Sequence, residues 1–522
     1  MVKFLKKAVI ASLCGGFLVS CGDEDLLKFD NIIGVKNWEP TYVAPIAQGD
    51  FTIWQLIDQY DENSTIVKDG NDIIIRHLQE DIYSLDVKDF VSMPENIAEF
   101  RQNLNIPVSG TLLEDVTLPF DLEPARIKFE DGYITKVIAS LNLSYSMPHT
   151  SFKYHMVVTF PNILVNGQAL EIETDGGENG SLVLNGAVFD MEDFPNQLNC
   201  RVVLTVPAGE TVTVQSLNVA FGLNDFKFSR VEGIINTKEL EIPADKFSMD
   251  VDFWNHFDGA LKFADPKVEL VVRNYGLAVP VAMDMHFVAF GNGKEVALDA
   301  GDYRPTFNGW NPEATGITTE TQGYNKDNSN IAALLSLPPK DKITYSGQAV
   351  INPGGKKVVV LNDGYVNMDA LVEIPLHLSA SDLIFSDTVD DIKIKDVDKI
   401  IKARLTVSGR NEIPLELSSG NLLLLNASMH CIDSVKVNED GKNNFLDAPE
   451  VNAAGEVVKA AESKCQIPLS EENIKNLEYT KYIVIAVKAC TSNKGNVPVK
   501  IKADARLHLM LQLEVKADLN DL

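Results

Sequence analysis

Eight histidines are scattered along the 522 residues, and none stands in a spacing that would by itself bind a metal. His149 and His155 share parity in a strand-like stretch, and Asp284 and His286 fall on one side of another. Each pair is a fragment of a metal site at most, and structural histidines satisfied by hydrogen bonds are the more economical reading. No GxSxG, HExxH, Walker loop or dinucleotide-type glycine loop is present. Gly291-Asn292-Gly293 and Asn352-Pro353-Gly354-Gly355 read as turns. A carboxylate pair of the glycosidase kind needs only a separation in space, so among 74 acidic residues the sequence singles out none. Asp175–Gly180 and Asn438–Asn443 are oxygen-rich and would suit calcium, but neither follows the EF-hand register, and surface turns are favoured. No metal or other cofactor is therefore expected, and no catalytic residue is assigned.

The stretch best suited to contact is the loop from Gly301 to Asn328, with Tyr303, Arg304, Phe307, Trp310 and Tyr324 among Gly, Pro, Asn and Thr. Long ordered loops usually serve a purpose, and aromatics with arginine are what binding hot spots use. The same rings could stack on sugars, or Phe307 and Trp310 could plug the domain. Both readings stand at this level.

The first twenty-five residues carry a second kind of chemistry. Lys3, Lys6 and Lys7 precede an apolar run, Ala8 to Ser20, too short to span a bilayer as a helix. The run closes on Leu18-Val19-Ser20-Cys21, which resembles the lipobox of bacterial lipoproteins. That resemblance implies cleavage before Cys21 and acylation of the cysteine, and two or three acyl chains anchor stably where one would not. Asp23, Glu24 and Asp25 follow, and an acidic cluster in this place resembles the surface-export signal of Bacteroidota lipoproteins. The lead-in Trp38-Glu39-Pro40-Thr41-Tyr42 with Phe51-Thr52-Ile53-Trp54 is similar to the start of large surface lipoproteins of that phylum, most of them without assigned function. Asp387-Thr388-Val389 and Asp433-Ser434-Val435 resemble its O-glycosylation triplet, which makes Thr388 and Ser434 acceptor candidates. The expected location is the outer membrane, lipid-anchored and facing the exterior. In such an oxidising compartment a bridge among Cys431, Cys465 and Cys490 would leave Cys200 over, with buried free thiols as the alternative.

Composition narrows the partners. Residues 1–20 hold three of the 46 basic residues and none of the 74 acidic ones, so the mature chain carries a net charge near −31. Such a surface argues against nucleic acid and against electrostatic docking on anionic lipid.

The elements that position these residues read as strands. Alternating or continuously apolar runs at 134–145, 151–160, 181–189 and 201–206 are separated by Gly, Asn and Pro turns. Helical signals are short: Pro94–Phe100, Ile331–Leu335 capped by Ser329 or Asn330, and Glu471–Leu477 capped by Ser470. A strand, a polar turn and an x-Pro-apolar segment recur at 268–281, 401–417 and 482–501. The seventeen residues from Ile501 to Ala517 alternate as one long strand.

The expected fold is all-β, several immunoglobulin-like sandwich modules in tandem with a few short helices. After the signal peptide (1–20) and a lipidated tether (21–50), the stretches are a β-rich domain at 51–128 and sandwiches at 129–240, 241–375 and 376–522. The function that fits is a non-enzymatic interaction subunit of an outer-membrane β-barrel complex for protein export, protein insertion or nutrient import, or a partner of other surface lipoproteins. Glycan binding is the alternative, and a fimbrial or adhesin subunit comes third.

Overall fold

The computed structural model describes residues 39–518, apart from 59–65, 92, 128, 130–131, 248–259, 292, 314–315, 338–341, 390–396 and 438–443. The protein is all-β, with antiparallel sheets and only short helices. The strands used below are β1 (Thr41–Thr52), β2 (Asp72–Asp86), β3 (Gly132–Ser146), β4 (Gln215–Ile235), β5 (Lys267–Ala278), β6 (Thr318–Tyr324), β7 (Lys357–Pro375), β8 (Ile400–Asn411), β9 (Leu415–Leu425), β10 (Cys431–Val437), β11 (Ala461–Leu469), β12 (Tyr482–Thr491) and β13 (Arg506–Ala517).

A thirteen-stranded sheet draws its strands from residues 66 to 375, so the stretches 51–128, 129–240 and 241–375 share one hydrogen-bonded surface. Two long strands make this sharing possible. β4 pairs with Ala98–Ile106 and with β3, then continues onto the start of β7. On one side β7 exchanges β4 for β2 after Leu361, and on the other β5 accompanies it from Val359 to Glu373. Its buried residues Val366, Met368, Ala370, Val372 and Ile374 face inward, and the residues between them face out. Inside, Phe160 meets Phe100 and Phe221 edge-on, with ring centroids 5.8 and 5.6 Å apart, the arrangement favoured by the ring quadrupole.

The C-terminal part holds two four-stranded sheets: β1-β13-β8-β11, and Leu383–Val389 with β12, β9 and β10. β1 and β13, more than 450 residues apart, pair from Thr41 opposite Lys516 to Thr52 opposite Arg506, with a bulge between Pro45 and Ala47. The helix Glu471–Leu477 begins at the expected N-cap Ser470, and the structure adds a capping box, since Ser470 and Asn473 bond each other's backbone N–H. Ile474 then packs on Val397, Ala403 and Val515.

The recurring strand–turn–proline segments are corners where the chain leaves one sheet for another. At the first, buried Asn274 bonds both the N–H and the C=O of Leu277. At the second, fully buried Asn411 donates to the carbonyls of Leu415 and Asp447 and accepts from the N–H of Ile413. Buried Thr491 and Ser492 stand at the third. An amide side chain saturates backbone groups that a change of sheet would otherwise orphan.

Two expected elements differ. Pro94–Phe100 is not a helix: residues from Ala98 join a strand along β4, where Phe100 and Leu104 are buried. Tertiary pairing overrides a weak local preference. The long terminal strand starts at Arg506 rather than Ile501, because 501–505 turn to bond Leu376 and Asn71.

Candidate functional site

The loop after Gly301 is built inward. Phe307 and Tyr324 are almost completely buried, and Trp310 is 7% exposed. Gly309 sits where a Cβ would strike the carbonyls of Leu277 and Val279, and that close approach lets Trp310 N–H reach the Leu277 carbonyl at 2.7 Å. The indole N–H donates to Gly316 O at 2.8 Å, and Glu320 accepts from the N–H groups of Asn308 and Gly309. Tyr303 is half-buried, edge-on to Tyr324, and Arg304 pairs with Asp284 at 2.9 Å. The expectation of five contact residues in this loop is thus corrected at Phe307, Trp310 and Tyr324, whose rings are committed to packing.

The remaining sequence candidates fall as follows. Leu18, Val19, Ser20, Cys21, Asp23, Glu24 and Asp25 lie outside the described residues. Thr388 lies in the strand opposite Val484, and Ser434 is exposed on β10. Beside it, Asp433 accepts from Asn473 and Asn476. Burial raises its carboxyl, but these bonds and the Ser434 N–H outweigh that and hold it low.

Cys200, Cys431 and Cys490 are free thiols, so no bridge forms within the set Cys431, Cys465 and Cys490. Cys431 stands opposite Leu425 and Cys490 opposite Glu416 on the same strand β9. Their separation along it is roughly 30 Å, several times the Cα distance that a disulfide tolerates. Burial pushes Cys200 up to about 12, and burial with the Glu416 carboxylate pushes Cys490 up to about 11.

The glycines of Asp175–Gly180 have a packing role: added Cβ atoms at Gly176, Gly177 and Gly180 would strike the rings of Tyr154, His149 and Tyr145. The second oxygen-rich loop lies outside the described residues. Among the described residues no group of three or more His, Cys, Asp or Glu is placed to hold a metal ion. His155 pairs with Asp175, and His377 pairs with Asp265 at 2.5 Å, with Lys326 on the other carboxylate oxygen. No hydroxyl or thiol is bonded to His377, so the dyad lacks a nucleophile among the described residues.

The surface that does bring functional groups together is the outer face of β2, β7, β5 and β6. Register places Ser84, Asn367, Arg273 and Thr319 in one row across the four strands. Ser84 donates to Asn367 Oδ1 at 2.9 Å. Arg273 grips Asp369, 2% exposed, through both terminal nitrogens, and Asp369 also accepts the N–H of Asp81 at 2.9 Å. On one side of this row lie Tyr365 and Tyr275, centroids 6.0 Å apart, with Trp310 edge-on to Tyr275. On the other side Leu78 and Leu371 stand opposite each other, and beyond them Glu373 takes Arg76 at 2.6 Å and Lys267 at 2.7 Å. The polar positions 367, 369 and 373 interrupt an otherwise apolar run, a signal that period-two reading of residues 365–375 would have found.

Burial raises the Glu373 carboxyl, but Lys267 and Arg76 outweigh it and hold the group below the usual carboxylate range. A carboxyl lower in the fold than in the unfolded chain stabilises at neutral pH, and that contribution disappears as pH falls through its folded value. Glu373→Gln should therefore be less stable than the parent by about 1 kcal/mol at about pH 7, its partners being well solvated. The gap should close in urea titrations repeated at about pH 3. A gap unchanged with pH would contradict the assignment.

No family model matches this chain, and no curated protein does. Among solved structures it is similar over 56% of its length, and 90% of the other chain, to a "putative secreted protein" of Parabacteroides distasonis, at 14% identity and a TM-score of 0.33. Matches to infectious bursal disease virus Gx strain (8% identity, 87% of this chain and 82% of that one, TM-score 0.15) and to the insecticidal delta-endotoxin Cry8Ea1 of Bacillus thuringiensis (10%, 60% and 54%, TM-score 0.14) are fainter still. At these values the likenesses carry no argument about function.

Proposed function

We propose that this chain is a lipid-anchored protein of the outer membrane, exposed at the cell surface, that works without catalysis as an interaction subunit beside a membrane β-barrel. The observation that carries the reading is Leu18-Val19-Ser20-Cys21 followed at once by Asp23, Glu24 and Asp25. The architecture is compatible with it in one specific way. The chain enters the described body at Pro40, whose carbonyl accepts the N–H of Ala517. An anchor at Cys21 would thus hold the body by one pole, on a tether reaching roughly 60 Å when extended. The outer face of β2, β7, β5 and β6 would remain open to solvent and partners.

The test is mild detergent extraction of outer membranes containing the tagged full-length chain, followed by mass spectrometry of what co-purifies. A stoichiometric barrel is the expected result, and Cys21→Ala should move the chain out of the membrane fraction. Recovery of the lipidated chain alone would remove the interaction reading. An unchanged membrane fraction for Cys21→Ala would remove the anchor. Glycan binding remains the second reading, favoured by the aromatic and polar groups on the open sheet face.

A further inference from the structure

We propose that the outer face of β2, β7, β5 and β6 is a binding platform for a neutral oligosaccharide, seated on Tyr365 and Tyr275 and hydrogen-bonded by Asn367 and Arg273. The proposal deepens the glycan reading and is independent of any barrel partner.

Three features of the face define the ligand. First, each of its cations is already paired with carboxylates: Arg273 with Asp369 and, at 4.0 Å, Asp81; Lys267 with Glu373 and Glu269; and Arg76 with Glu373. A charged ligand would have to compete with these pairs, whereas a neutral one would not. Second, the polar groups are planar and already fixed. Ser84 occupies Asn367 Oδ1, which leaves the amide Nδ2 as a donor with no partner among the described residues. The Arg273 guanidinium is held through both terminal nitrogens by a carboxylate that is itself buried, yet the arginine side chain is 38% exposed. The two bonds to Asp369 fix the plane of the guanidinium, and part of it stays accessible to a ligand. Planar donors on neighbouring strands, about 4.8 Å apart, suit adjacent hydroxyls of a pyranose ring, and groups fixed before binding lose little entropy on it.

Third, the half-buried Tyr275 and Tyr365 supply an apolar surface directly beside these donors. A sugar presents both kinds of surface at once, C–H groups on its face and hydroxyls at its edge. Trp310, edge-on to Tyr275 at 5.8 Å between centroids, packs against the ring and restricts it. The loop that carries Trp310 thereby has a role at the platform although its own large rings are buried. Exposed Thr319 on β6 extends the row, so that the platform spans four strands and has room for more than one sugar unit.

The experiment titrates the detergent-solubilised full-length chain with a panel of neutral hexasaccharides (malto-, cello-, xylo- and manno-oligomers) by calorimetry. At least one should bind. Tyr365→Ala should weaken it by about tenfold, and Asn367→Ala and Ser84→Ala by smaller factors. Hydrogen exchange with and without that saccharide should show protection confined to β7, β5 and β6, which keeps the test decisive even if Tyr365→Ala misfolds. Absence of binding across the panel, or binding indifferent to Tyr365 and Asn367 with protection elsewhere, would overturn the proposal. If no saccharide binds but Tyr365→Ala releases a co-purifying barrel, the face is a protein interface and the saccharide assignment is wrong. A chain that binds saccharide without any barrel would leave this proposal standing while the interaction subunit fell.

Discussion

Asn352→Ala is expected to destabilise the protein by about 3–5 kcal/mol, the larger of two effects that single side chains should produce. Asn352 is completely buried at the turn between Ile343–Ile351 and β7. Its Nδ2 donates to Ile235 O at 2.7 Å and Lys356 O at 3.0 Å, and its Oδ1 accepts the N–H of Lys356 at 3.0 Å. Its backbone N–H reaches Pro280 O at 2.8 Å, so one residue joins the end of β4, the start of β7 and the first sheet-changing corner. Alanine would orphan the Ile235 carbonyl in the interior and remove both bonds to the backbone of exposed Lys356. It would also have to hold φ near +50°, which Asn tolerates and Ala resists. Asn352→Gly separates the contributions: it removes the same bonds but relieves the backbone, and should recover about 1 kcal/mol relative to Ala. Urea midpoints of the three proteins measure this. An alanine variant within 1 kcal/mol of the parent would show that water replaces the lost bonds.

The second large effect is at Asp369. Asp369→Ala should cost about 2–4 kcal/mol, because it frees the Arg273 guanidinium and leaves the Asp81 N–H without its acceptor. Arg273→Ala should cost at least as much, since it strands a carboxylate that is 2% exposed. The double variant should lose clearly less than the sum of the singles, the sign of a coupled pair. Additive losses would mean that the two groups act independently. The same pair fixes Arg273 on the proposed platform, so Asp369→Ala should also weaken saccharide binding without touching the ligand.

The all-β class was legible because strand alternation and turn residues are local properties, as at 134–145 and 201–206. The N-cap at Ser470 and the helix at Ile331 were legible for the same reason. What local reading could not supply is which strands pair. Nothing near Thr41 announces Lys516 as its partner, and β7 looks like one apolar run until its two sets of neighbours are known. The corners were visible as a recurrence, but their cause, a buried amide closing the change of sheet, depends on burial of Asn274 and Asn411. The contact loop was found and then misread at its rings. Phe307 and Trp310 look the same in sequence whether they face a ligand or a core, and only the fit of Gly309 against Leu277 and Val279 decides it. Asn367, Asp369 and Arg273 escaped notice because their meeting is a matter of register between distant strands.

The pairing of β1 with β13 has a mechanical corollary. With Cys21 fixed in a membrane and a pull applied to the body, force would enter at Thr41 and run along β1. The ladder bonds lie across the strand direction, so the load would fall on the whole stretch from Thr41–Lys516 to Thr52–Arg506 in shear. Bonds strained together must fail together, whereas a peeling geometry would break them one pair at a time. The weakest-looking arrangement, a first strand lying at the border of its sheet, is thereby the one that resists traction best along the direction in which a tethered surface protein would be pulled.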